Sequence, residues 1–270
     1  MKLLLRKFLN LVKYFSITSC IIIIISIGFL SFRELFHTNK GQSVSHGTRF
    51  NGTLERGWLL PYRGENYGSF SGISYYLMDN AYVHNSVYRS VLESYQSLNS
   101  TINSECLYYY MECSDHSGGN LYLHRSHENG LSIDFMIPKQ KEGKPYTYLD
   151  QWGLFHYFLE TDNYGNYKQN YSLLNFLSPS VSKFIGRLFI PKNVTNDFEK
   201  LADHILALDI ACNKNGISIK QVIIKIEFKE KLFSTPSGRK LLSRGVYFAN
   251  KLPSEVNEMH DEHYHIDFNI

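Results

Sequence analysis

Six of the eleven histidines fall in two segments: His116, His124 and His127 in one, and His260, His263 and His265 near the C-terminus in the other. The first continues through His124-Arg125-Ser126-His127-Glu128-Asn129-Gly130 to Asp134, and the second reads His260-Asp261-Glu262-His263-Tyr264-His265. A borderline-soft cation such as zinc takes imidazole nitrogen and carboxylate oxygen at about 2.0–2.2 Å, and catalytic sites keep three protein ligands with a fourth position for water. His127, Asp134 and one terminal histidine supply that set if the two segments lie side by side. Residues two apart on a strand share a face, so His263 and His265 can address one site, one as ligand and the other handling protons. A lone histidine is usually a surface or hydrogen-bonded core residue. Two clusters, one closed by an acid, favour a metal.

Those side chains need elements to hold them. Leu131 to Ile137 alternates, with Leu131, Ile133, Phe135 and Ile137 on one side and Ser132, Asp134 and Met136 on the other. This predicts a strand with Asp134 on the face away from the large aliphatics. Tyr264 to Ile270 reads as a second strand and the β-branched Val222 to Phe228 as a third. His84 to Leu98 has Val87, Val91, Tyr95 and Leu98 at helical spacing. Asn196-Asp197-Phe198-Glu199 offers a capping box for a helix through Leu201, Ile205 and Leu208 to Asn215-Gly216, with Cys212 on its buried face. The aromatic, Asn-rich stretch after the charged loop Lys139 to Pro145 has no clear period, so about 139–191 reads as an insertion packed on the body. The mixture points to an α+β fold.

Other reactive residues read less sharply. Cys106 and Cys113 bracket Leu107 to Glu112, and in an exported domain a local disulfide is the leading reading. Ser126 shapes the turn before His127, since no nucleophile-elbow pattern surrounds it. His124 either orients a ligand or substrate or makes a local hydrogen bond. Asp267 shares a strand face with the terminal histidines but reads as a solvated surface acid.

Charge supplies an address. The formal charge is +3, yet Lys2, Arg6, Lys7, Lys13, Arg33 and Lys40 against Glu34 make the first forty residues +5, leaving −2 for residues 41–270. That split removes the basis for a nucleic-acid partner. The uncharged run Tyr14 to Phe32 would reach roughly 28 Å as a helix, the thickness of a bilayer's hydrocarbon core. The expected organisation is a cytoplasmic basic segment at 1–13, a transmembrane signal-anchor at 14–32, a tether at 33–50 and an exported body at 51–270. No small-x-small cleavage site follows the run, which favours an uncleaved anchor over a signal peptide. A hydrophobic content of 43% with 15% aromatics excludes disorder for most of the chain, and four cysteines are too few for a disulfide scaffold.

His124-x-Ser126-His127-x-x-Gly130-x-x-x-Asp134, followed by His260-x-x-His263-x-His265, resembles the penicillin-insensitive murein endopeptidases of the lysostaphin, D-Ala-D-Ala metallopeptidase and hedgehog group. Asn51-Gly52 to Leu54, Gly57, Leu60-Pro61 and Gly64 are similar to that family's early Asn-Gly and Leu-Pro segment. The likeness covers roughly 48–138 and 195–268. It departs from the family in the membrane anchor, the sparser cysteines and the unaligned 139–191. It implies a small central antiparallel sheet with flanking helices and long loops, one Zn2+ ion, and hydrolysis of D-Ala to meso-diaminopimelate cross-links in bacterial peptidoglycan. Carried over, His127, Asp134 and His265 would be the zinc ligands and His260 and His263 the catalytic histidines. A neutral His263 would take the water's proton, while an imidazolium at His263 or His260 would stabilise the oxyanion or protonate the leaving amine; spacing does not settle which of the two is base and which is acid. The Glu-x-x-His branch of the group would instead use Glu262 as base, which needs a bend before the strand. The resemblance further implies a periplasmic body on the inner membrane, peptidoglycan as partner, and leaves a homodimer open. A zinc D,D-carboxypeptidase or dipeptidase on stem peptides, or a non-catalytic peptidoglycan-binding module, are the alternatives.

Overall fold

The structure is a computed structural model that describes residues 2–101, 107–121, 126–176 and 178–270. Its central sheet has five strands, in the order Ser218–Ile223, His263–Asn269, Ser132–Met136, Tyr108–Tyr110 and Tyr67–Ser69. The first three pairings are antiparallel, as expected, but Tyr67–Ser69 runs parallel to Tyr108–Tyr110. The cause is connectivity: the helix Asn85–Thr101 crosses between those two strands, and a crossover returns the chain in the same direction. The pairing that matters most for chemistry sets His265 opposite Asp134 and His263 opposite Met136.

Two long helices brace the sheet. Asn85–Thr101 packs on Phe198–Lys214, and Val87, Val91 and Tyr95 meet Leu201, Ile205 and Leu208 in one core with Ile133, Phe135 and Ile266. Within it the His204 ring stacks on Tyr95 and Tyr108 at centroid distances of 5.1 and 5.2 Å. Cys212 is buried on this face, as its spacing predicts. The helix cap sits one residue later than the expected box, since the Asp197 side chain accepts from the Lys200 amide at 3.0 Å.

The third predicted strand is displaced. Pairing covers Ser218–Ile223, and Ile226–Phe228 forms a 3-10 turn. The Lys225 amide donates to the His260 carbonyl at 3.2 Å, which takes the chain out of the sheet beside the histidine segment.

Residues 139–191 build a layer of their own. Lys139–Lys141 pairs with Lys144–Pro145 and with Val194–Asn196, 3-10 turns occupy Leu149–Phe158, and a hairpin joins Leu159–Thr161 to Tyr167–Tyr171 ahead of a helix at Pro179–Phe189. Leu149, Leu159, Tyr167, Ile190 and Val194 form its core. It is tied to the histidine segment through Asp261, whose carboxylate accepts from the Thr161 amide at 2.8 Å.

At the other end, the helix Lys2–Phe36 carries an 18-residue apolar window, Val12–Phe29, with none of it buried. At about 1.5 Å per residue it is long enough to cross a bilayer, as a membrane anchor or a signal sequence both are. Residues 33–50 do not form one tether: the helix runs to Phe36, and Val44–Thr48 pairs with Asn51–Glu55 in a hairpin. The 44–48 strand lacks apolar alternation and is held by backbone pairing, which polar residues conceal in the sequence. Only 37–43 remain as a link, and Asn39 grips Leu59 through both backbone groups at 2.8 and 3.1 Å.

Candidate metal centre

The Asp134 carboxylate lies between two imidazoles. One oxygen is 2.8 Å from His265 Nδ1 and the other 3.2 Å from His127 Nε2. Donor atoms of all three residues fall within 4.8 Å of one another, and all three side chains are buried. Ligands about 2.0–2.2 Å from a tetrahedral metal stand roughly 3.3–3.5 Å apart, so the donor set and its spacing fit one cation.

Each ligand is placed by a local feature. Asp134 and His265 are opposed by strand register. His127 precedes that strand in a turn and has φ of +78°, the left-handed region that non-glycine residues rarely enter. Such backbone strain persists where surrounding structure over-determines it, and it gathers at functional sites. Gly130 also has positive φ, +71°, and a Cβ there would come within 2.7 Å of Leu54, so the turn joining His127 to the strand requires glycine. Ser126 occupies the bend just before His127.

Electrostatics couple the three groups: burial would lower His127, but Asp134 beside it holds it above the ordinary imidazole value. Burial alone would raise the Asp134 carboxyl, but His127 and His265 beside it hold it well below the usual carboxylate range. Burial pushes His265 down to about 4, leaving it neutral and able to coordinate. Its far nitrogen, Nε2, is 2.8 Å from Asp267. Asp267 is therefore no solvated surface acid: it is 3% exposed and also accepts from Ser132 Oγ and Gln221 Nε2, both at 2.6 Å, and from Arg49. A carboxylate behind a ligating histidine fixes its tautomer and raises its basicity.

The remaining two histidines pair with each other. The rings of His260 and His263 lie 4.7 Å apart. His260 Nδ1 donates to the Val256 carbonyl at 2.6 Å, and His263 Nδ1 donates to Glu262 at 2.9 Å, so each ring keeps Nε2 for other partners. Burial, and then His263, press His260 down to about 4. Burial also opposes charge on His263, but Glu262 overcomes it and lifts His263 to about 9. Spacing leaves open which of His260 and His263 takes the proton and which gives it. The neighbouring carboxylate favours imidazolium at His263, and burial favours the neutral ring at His260.

Glu262 sits at the bend before the strand, with its second oxygen 3.0 Å from His156 Nε2. Sequence reading missed His156, together with Tyr157 and Glu112. Tyr157 Oη donates to Glu112 at 2.6 Å, and its ring lies 5.8 Å from His263. Burial raises Glu112 to about 7 against the lowering effect of that hydrogen bond. His156-Tyr157 lay in the aperiodic stretch where no pattern marks function; a histidine amid apolar residues was the only available signal. A cleft of about 600 Å³ is lined by Glu112, Tyr157 and Glu262, with Met78, Leu154 and Met259 among its apolar lining; the three candidate ligands are not part of that lining.

Two expectations concern residues outside those described: His124, and the Cys106 half of the disulfide. Cys113 is buried, with Sγ 3.8 Å from the Met111 carbonyl. No protein-family model matches the chain, and no curated protein matches it in sequence.

Proposed function

We propose that the protein is a zinc-dependent peptidase that hydrolyses peptide cross-links in peptidoglycan. The observation carrying this reading is the buried His127, Asp134 and His265 triad, with two further histidines of opposite charge preference beside it. Three protein ligands fit a catalytic site better than a structural one, which is usually closed by four. The motif likeness then supplies the substrate class.

When bound, the metal would polarise the scissile carbonyl and make water more acidic. The protein groups divide the proton work. His260, neutral and anchored through Nδ1, accepts a proton from the attacking water. His263, kept as imidazolium by Glu262, faces the developing oxyanion and then protonates the leaving amine. Glu262 positions His263, because its two oxygens are engaged by His263 and His156. Asp267 orients His265 in the same way.

Metal analysis combined with digestion of purified cross-linked peptidoglycan tests the proposal. Dimeric muropeptides should convert to monomers. Release of terminal D-Ala alone would make the protein a carboxypeptidase, and a zinc-loaded protein that yields no product would sink the hydrolase reading.

A further inference from the structure

The helix Pro179–Phe189 is inverted. Its inward face carries Ser182 and Gly186: Ser182 Oγ donates to the Tyr171 carbonyl at 2.6 Å, and a Cβ on Gly186 would stand 2.7 Å from the Gln169 and Asn170 backbone. Its outward face carries the large apolar residues. Val181 is 39% exposed, Phe184 62% and Leu188 62%, at the i, i+3, i+7 spacing of one stripe. Phe189, 50% exposed, lines a groove with Tyr148, Trp152 and Phe155. A folded body gains nothing from leaving such a stripe in water, and contiguous exposed apolar surface marks an interaction site.

Charge identifies the partner. From Asn163 to Asn196 there is no acidic residue, while Lys168, Lys183, Arg187 and Lys192 are present; this 34-residue stretch is +4 on a body that is −2 over residues 41–270. Lys183 and Arg187 flank the apolar stripe and are exposed. An amphipathic helix with basic flanks and aromatic residues at its apolar face has the composition of one lying in the interface of an anionic bilayer. The same chain carries a helix of bilayer length close to the body. The apolar window ends at Phe29 and its helix at Phe36, and Asn39 is already clamped to Leu59 of the body. Only His37 and Thr38 lie between them, so Phe36 and Asn39 are at most about 11 Å apart.

We infer that the Val181, Phe184 and Leu188 face, flanked by Lys183 and Arg187, docks the body onto the surface of an anionic membrane. The short link fixes the distance from the bilayer, and the docked helix fixes the orientation of the body on it.

The test uses the full chain reconstituted in phosphatidylcholine vesicles containing phosphatidylglycerol, with brominated acyl chains as quencher. Phe184→Trp, read against the parent chain, should gain emission that bromolipid quenches about twofold, the signature of a ring at the acyl boundary. Leu242→Trp, on an exposed position of the separate helix Pro236–Ser243, should gain emission that is not quenched. Reversing charge with Lys183→Glu and Arg187→Glu should weaken quenching at position 184, as should high salt. Equal quenching at 184 and 242 overturns the inference. So does a concentration-dependent dimer in detergent that Phe184→Asp abolishes, since a second copy would then cover the stripe.

Discussion

At the residue scale, the opposite charge preferences of His260 and His263 come from their Nδ1 partners. A backbone carbonyl holds one, and a carboxylate holds the other. Glu262→Gln keeps an acceptor for His263 but removes the charge that raises its pKa. Hydrolysis that needs His263 as imidazolium should then lose its alkaline limb at lower pH, with metal content unchanged; a pH–rate profile checks this, and an unmoved limb would assign the proton donor elsewhere. Asp267→Asn should weaken zinc binding about 10–100-fold in a chelator competition, the usual effect of removing a ligand's carboxylate support. His204 makes a separate prediction. Burial drops it to about 3, so the fold keeps it neutral, while the unfolded chain takes up a proton below about 6.5. Stability from this group is complete above about 6.5 and is lost as pH falls towards about 3. His204→Phe should flatten that acid slope in denaturant titrations, although the lost bond to Tyr264 lowers stability at every pH.

At the element scale, the strands holding Asp134 and His265 were legible because a two-residue period and a closing acid survive in local sequence. The 139–191 layer was not, since it is held by short pairings and 3-10 turns that carry no period. Gly186 illustrates the difference: its importance lies in a backbone approach to Gln169 and Asn170 across a turn. Gly186→Val should destabilise the layer by about 1–3 kcal/mol through overpacking. Hydrogen exchange should quicken in Tyr167–Tyr171 and Pro179–Phe189, while metal content at His127, Asp134 and His265 stays constant. Unchanged exchange there would remove the helix's packing role.

At the scale of the whole molecule, the metal should act as a clasp between chain segments far apart in sequence. Asp134 and His265 are separated by 131 positions yet meet across one strand pairing. A cation bound only by the native state stabilises it by about 2.7 kcal/mol at a hundredfold excess over its dissociation constant. Zinc should therefore raise the melting temperature of the wild-type chain and leave Asp134→Asn unmoved. An equal shift in both would place the metal elsewhere.

The sequence by itself determined the donor residues, the strand parity that aims Asp134, and the apolar N-terminal helix, because each depends on residue type and local period alone. The tertiary structure decided the rest. It put Asp267 behind His265, turned Glu262 onto His263, brought His156 and Tyr157 out of an aperiodic stretch to the centre, and left the Phe184 stripe facing water. Those outcomes follow from register and packing between distant segments, whose energies no local pattern encodes.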